Sequence, residues 1–206
     1  MSIYKSYLEF LCSKLDKLEL KKYKNITVLG ANIINGIFIA FCEILIGKNK
    51  VERYIYTIEK EVITKYKIET KRNGSNYIVV EKASLKKILP LKVYDIFVNR
   101  GLALDVETGN RLDNYCCWHR LVQSLYMFIL ALEVHHIDLN RDNNVICNFT
   151  PMDKVEHLEF HKKLNGKSIE YAIKKGNEIQ KEYIEHIKTL KRNTVAKNNE
   201  MVFLVL

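Results

Sequence analysis

The sequence predicts an α+β protein, and three observations carry that expectation. Residues 26–98 are rich in Ile, Val, Tyr and Thr in short runs, as strands are. Near both ends of the chain, apolar residues recur at helical spacing instead. Between them, residues 134–164 read as strand, loop, strand and helix, and this window holds four of the six histidines.

Taken in order, residues 2–22 set Ile3, Tyr7, Leu8, Phe10, Leu11, Leu15 and Leu18 against Lys and Glu, the pattern of an amphipathic helix. Ile26 to Gly47 is long and apolar, but Asn32, Asn35 and Glu43 interrupt it and Gly30 and Gly36 break it. A spanning helix wants about 20 apolar residues with few charges, so buried strands around a turn are expected and no membrane partner. Asn73-Gly74, between β-prone runs in residues 66–80, predicts a hairpin. Pro90 should close a short helix that Ser84 could cap.

Residues 101–114 are polar and turn-rich, which suggests a soft boundary. Trp118 to Leu132 reads as a buried helix. Two strands should follow over Val134 to Thr150, joined by the loop Asp138 to Asn144. Thr150 would cap the next helix, with Pro151 at its first position and the helix over Met152–Leu164. A last helix should run from Ser168 to about Lys191. The division expected is 1–100, a mixed region with β-hairpins, then 101–165, a chemical module, then 166–206, a basic helix and tail.

A hydrophobic fraction of 48% belongs to a globular chain, and a net charge of +9 favours a polyanionic partner, nucleic acid first. The five cysteines include no C-x-x-C pair, and their odd number fits reduced thiols. Met1-Ser2 leads into a Lys- and Glu-bearing segment unlike a signal peptide, so a cytoplasmic location is expected.

The chemistry concentrates between His135 and His161. His157 and His161 are four apart and share a helix face. His135, ending the first strand, can meet that face, so three imidazoles can fix one divalent ion and leave positions open. His136 follows directly and must point to the other side of the strand. It is poorly placed to join the ion and well placed to act beside it as a general base. A His pair at this spacing is usually surface decoration. The paired His135-His136, Asn148 and an Asn-rich turn in the same window make coincidence a poor explanation. His119 reads as a packed or capping residue, His186 as solvated surface, Asp138 and Asp142 as turn formers, and Cys147 as a small buried hydrophobe. Tyr54, Tyr56, Tyr66 and Tyr77 could form a nucleic-acid-reading surface or pack within hairpins.

These residues give the window a resemblance to the HNH nuclease family. That family's pattern has a paired His (or Asp-His), a central Asn in an Asn-Leu pair, and a helix with His spaced by four. His135-His136, Asn148-Phe149 and His157–His161 match in order and spacing. Trp118-His119-Arg120-Leu121-Val122 also resembles the His-Arg-Leu-Val stretch that precedes the motif in phage members. The resemblance covers about residues 115–165.

It implies a ββα-metal (HNH) module with flanking helices. His135, His157 and His161 would bind the metal, and His136 would activate the water that attacks a phosphodiester. Asn148 would hold the second strand and the loop, while Asn144 and Asp138 would support the site from the turn. DNA would be the substrate, leaving a 5′-phosphate and a 3′-hydroxyl. Lys162, Lys163, Lys167 and Arg120 are candidate phosphate contacts. The ion is one of Mg²⁺, Mn²⁺, Zn²⁺ or Ni²⁺; three imidazoles suit the last three better, although family members often use Mg²⁺. This chain departs from many relatives at Leu139, where they have Gly, and it lacks their flanking C-x-x-C pairs. Cutting both strands would require two copies of the single site, which makes a homodimer a candidate assembly. The rival expectation is a non-catalytic nucleic-acid-binding protein with a structural metal.

Overall fold

The computed structural model describes residues 13–18, 20, 25–48, 50–99, 114–125 and 133–194; the side chains of 99, 183, 184 and 186–194 lie outside that description. The chain is mixed α+β with antiparallel sheets. Of the helix expected over residues 2–22, a helical turn at 13–17 is described and residues 1–12 are not.

Strands β1 (Ile26–Ile34), β2 (Ile37–Leu45), β3 (Val51–Glu59) and β4 (Val62–Ile68) form a four-stranded meander in chain order. Asn35 and Gly36, both at positive φ, make the two-residue turn between β1 and β2. The apolar run Ile26–Gly47 is therefore a hairpin, and β2 explains its length. Ile37, Ile39 and Phe41 face one core; Phe38, Ala40, Cys42 and Ile44 face another that Leu18 and Leu20 help close. A strand buried on both faces loses polar alternation and reads as continuous apolar sequence. Among the described residues, no helix is long and apolar enough to cross a membrane. Tyr54 and Tyr56 are buried in the second core, so packing accounts for them rather than a reading surface.

The second sheet joins β5 (Lys71–Arg72), β6 (Ile78–Glu81) and β7 (Tyr115–Cys117). The Asn73-Gly74 hairpin is present but wider than a two-residue turn. Asn73 Oδ1 accepts from the N–H groups of Ser75 and Tyr77, and Asn76 holds the left-handed conformation at φ 63. The arms are also shorter than expected, because residues 62–68 pair with β3 instead. Helix α1 (Lys82–Ile88) follows at once. Glu81 is its N-cap residue, and Ser84, inside the helix, donates to the Glu81 carboxylate at 2.7 Å rather than capping. Pro90 separates α1 from α2 (Leu91–Asn99).

Helix α3 (Trp118–Ser124) covers the first part of the helix expected over 118–132; residues 126–132, like most of the 101–114 segment, lie outside the description. Trp118 is fully buried against Phe41, ring centroids 5.0 Å apart. One hydrophobic cluster runs from Leu29 through Phe97 and Trp118 to Phe149. Each large apolar side chain in it contributes about 1.5–3 kcal/mol. The first sheet and the histidine-bearing segment thus share a core.

The last part comprises β8 (Glu133–His136), a 3-10 turn (Ile146–Asn148), β9 (Phe149–Met152), α4 (Lys154–Leu164) and α5 (Ile169–Thr194). Pro151 does not start a helix as expected; it pairs with Val134 inside the two-stranded β8–β9 sheet. The Ile137 N–H bonds the Asn148 carbonyl, and alternation along the ladder then puts Pro151 at a non-hydrogen-bonded position, where its missing N–H removes no ladder bond. The helix begins at Lys154, two residues after the expected Met152, and Asp153, not Thr150, caps it: its Oδ1 accepts from Val155 and Glu156 N–H at 2.8 Å each.

Candidate metal centre

Strand alternation separates the two adjacent histidines. His135 faces α4, its ring against Phe160 (4.7 Å), His161 (5.0 Å) and His157 (5.2 Å). His136 faces the opposite way, toward Phe149 (5.1 Å) and His119 (5.0 Å). Phe160 is buried and anchors α4, which turns His157 and His161 toward the strand.

Three ring nitrogens converge there. His157 Nε2 lies 3.1 Å from His135 Nδ1 and 3.1 Å from His161 Nε2, and the three donor atoms all fall within 4.8 Å of one another. Neighbouring ligands around an ion with metal–nitrogen distances near 2.0–2.1 Å sit about 3.0–3.4 Å apart. Two of the three separations match that spacing, and the cluster could hold a metal ion. The Glu133 carboxylate contacts His157 Nδ1. It accepts a hydrogen bond from Nδ1–H and leaves the Nε2 lone pair aimed at the centre, the usual carboxylate–histidine support for a ligand. Burial first, then His157 and His161, pushes His135 down to about 3. Burial first, then His157, lowers His161 as well. Neutral imidazoles with free lone pairs are what a metal requires.

Beyond His136, the loop 137–148 is held by its own amides. Asn148 Oδ1 accepts from Asp138 N–H at 3.0 Å, and its Nδ2 donates to Asp138 Oδ1 (2.8 Å) and the Asn143 carbonyl (2.9 Å). Asp138 also accepts from Asn140 N–H and Asn143 Nδ2. Burial alone would raise its carboxyl, but these bonds hold it below the usual range. Asn144 Nδ2 donates to the Asp142 carbonyl, so its Oδ1 faces His136 Nε2 at 3.3 Å. His136 then donates from Nε2 and carries its lone pair on Nδ1. Burial lowers its pKa, partly offset by the Asn144 bond.

The loop is also tied to distant segments. Arg72 pairs with Asp142 at 2.8 Å, and Arg141 donates to the Ser75 carbonyl at 2.6 Å. From the other side, Gln180 of α5 donates to the carbonyls of Cys147 and Phe149, which places Cys147 on an exposed turn rather than in the core expected for it.

Thus His135, His157 and His161 come together, His136 stands beside them on the other face, and Asn148, Asn144 and Asp138 build the loop. Lys162, Lys163 and Lys167 are exposed on and just after α4; Arg120 is half-buried on α3. His119 is packed, not a cap, and burial holds its imidazole well below the ordinary value. The His186 side chain lies outside the description. Sequence reasoning passed over Glu133, although its place two residues before His135 puts both on one face of a strand. It also passed over Arg72 and Gln180, and it did not foresee the packing of Tyr77 on His119; these roles depend on contacts far along the chain. Compared with known proteins, the chain matches no family model, no curated protein and no solved structure.

Proposed function

We propose that this protein is a metal-dependent HNH endonuclease that hydrolyses DNA phosphodiester bonds, with residues 133–164 as a ββα-metal unit. The observation that carries the reading is the division of labour between adjacent residues. His135 joins His157 and His161 in a converging nitrogen set, while His136 presents Nδ1 on the opposite face.

His135, His157 and His161 would hold the ion, and Glu133 would orient His157. When bound, the ion supplies charge stabilisation to the pentacoordinate phosphorus and the departing oxygen. Ligand softness favours Zn²⁺, Ni²⁺ or Mn²⁺ over Mg²⁺. His136 takes a proton from water at Nδ1. Its Nε2–H remains bonded to Asn144, which stabilises the imidazolium formed. The hydroxide oxygen bonds to phosphorus, the bond to the 3′ oxygen breaks, and that oxygen takes a proton from a solvent water, while His136 returns its own proton to solvent. The products are a 5′-phosphate and a 3′-hydroxyl. The net charge of +9 and the exposed Lys162, Lys163 and Lys167 suit a polyanionic substrate.

The test is supercoiled plasmid incubated with Mg²⁺, Mn²⁺, Ni²⁺ or Zn²⁺, wild type against His136→Ala. The wild type should nick or linearise it with at least one metal, and His136→Ala should keep metal and DNA binding but lose cleavage by about 10²-fold or more. No cleavage by the wild type with any of the four overturns the reading in favour of a non-catalytic binder.

A further inference from the structure

Among the described residues, the His136 ring makes one hydrogen bond, at 3.3 Å to Asn144. That is long for an N–H···O bond, and alone it leaves the ring free to turn about χ2. The ring is held instead by packing. Phe149 meets it edge-on at 87°, and His119 at 74°. His119 is only 5% exposed and is wedged in turn against Phe149 (6.1 Å) and Tyr77 (5.4 Å). Tyr77 carries the Arg141 guanidinium over its ring at 4.4 Å, and Arg141 is bonded to the Ser75 carbonyl. The stack Arg141–Tyr77–His119–His136 therefore starts in the loop after His136, crosses the β5–β6 hairpin and α3, and returns to His136.

We propose that His119 and Tyr77 are positioning residues for His136, fixing its ring so that Nδ1 rather than Cδ2–H meets the water. The proposal rests on His136 being the general base. It makes the β5–β6 turn part of the site, although residues 73–77 fall in the half of the chain that carries none of the metal-binding histidines. A ring turned over about χ2 would put Cδ2–H where Nδ1 stands and could not accept from the water, and with Cε1–H opposite Asn144 Oδ1 it would lose the bond that keeps the proton on Nε2.

The test uses the full-length chain. ¹H–¹⁵N correlation of the imidazoles at neutral pH, metal-free and with Zn²⁺, reports the His136 tautomer. The wild type and His119→Phe, which keeps a ring in place, should show one Nε2–H form. His119→Ala and Tyr77→Ala should show a mixture. In plasmid cleavage, both alanine variants should lose about tenfold or more in kcat with KM for DNA and Zn²⁺ affinity unchanged, and His119→Phe should recover most of the loss. Should His119→Ala fail to fold, Tyr77→Ala and His119→Phe carry the same comparison. A single tautomer in the alanine variants overturns the proposal, as does a kcat loss matched by an equal loss of Zn²⁺ affinity. If the wild type cleaves no DNA, the nuclease reading fails, and the tautomer populations still decide whether these residues hold the ring.

Discussion

Glu133 and His157 face each other from the first strand and the last helix of the candidate metal centre, the carboxylate accepting a hydrogen bond from His157 Nδ1. Removing the carboxylate lets the His157 ring rotate and mix tautomers. Glu133→Ala should weaken Zn²⁺ binding by about 10–100-fold, measured by competition with a chromophoric chelator. Glu133→Gln, which keeps an acceptor oxygen, should fall between that variant and the wild type. Unchanged affinity in both would show that the contact does not orient the ligand.

Asn148 is the member of the loop with most to lose. Its amide makes three hydrogen bonds, one of them to the Asp138 carboxylate. Asn148→Ala should cost about 2–4 kcal/mol in urea unfolding, since part of the loop's polar set is left unsatisfied. Asn148→Asp should be worse above the carboxylate range, because the new charge would face Asp138 where Nδ2 now donates. Its deficit should shrink as pH falls and one of the pair protonates.

How far the sequence reached can be judged from such residues. The histidines that meet lie within one short window, and helix and strand periods alone bring them face to face. A turn between buried strands within Ile26–Gly47 was legible because its punctuation is local, though not which of Gly30 and Gly36 would make it. Pro151 misled because proline at a helix start is the commoner case, and its tolerance here depends on which edge of a two-stranded sheet it occupies. The Arg72–Asp142 pair and the stacking of Tyr77 on His119 join segments 70 and 42 residues apart. No periodicity encodes contacts of that kind; they follow from how the hairpin lands on the shared core.

Leu139 sits in the loop at φ +60, in the left-handed region, with 40% of its surface exposed. A non-glycine residue there costs about 1–2 kcal/mol. Glycine removes that strain but adds unfolded-state entropy of roughly 0.5–1 kcal/mol. Leu139→Gly should therefore stabilise the chain by about 0.5–1 kcal/mol, read as a higher urea midpoint. Leu139→Ala, which keeps the Cβ, should give no gain.

His119 makes the stability of the metal-free chain depend on pH. Burial holds its folded-state pKa well below the ordinary value, so the unfolded chain binds the proton first. Its stabilisation is fully present above the unfolded pKa near 6.5 and is lost as pH falls below that value toward the folded one. Between pH 6.5 and 5, the slope of unfolding free energy against pH should drop in His119→Phe by up to about 1.4 kcal/mol per unit. Urea titrations of the chelator-treated wild type and variant measure it, and equal slopes would mean that His119 does not stay neutral in the fold.

Gly176 lets α5 pass over the turn that follows His136. A Cβ at this position would sit 3.1 Å from Ile137 Cγ2 and 3.5 Å from Ile137 Cα. Ala172, one turn earlier on the same face, is also buried, and Gln180, one turn later, ties the helix to the carbonyls of Cys147 and Phe149. In an open helix, Gly→Ala gains close to 1 kcal/mol. Here Ile137 must give way by a few tenths of an ångström, so Gly176→Ala should show little of that gain. Gly176→Val has branches that the backbone of Ile137 cannot avoid and should destabilise by about 1–3 kcal/mol. Because Ile137 adjoins His136, the same variant should lower cleavage even at temperatures where it remains folded, whereas Gln180→Ala should loosen the helix with a smaller effect on rate. Melting curves and plasmid cleavage on the two variants separate these outcomes, and a Gly176→Val protein with wild-type melting and rate would show that α5 does not bear on the turn.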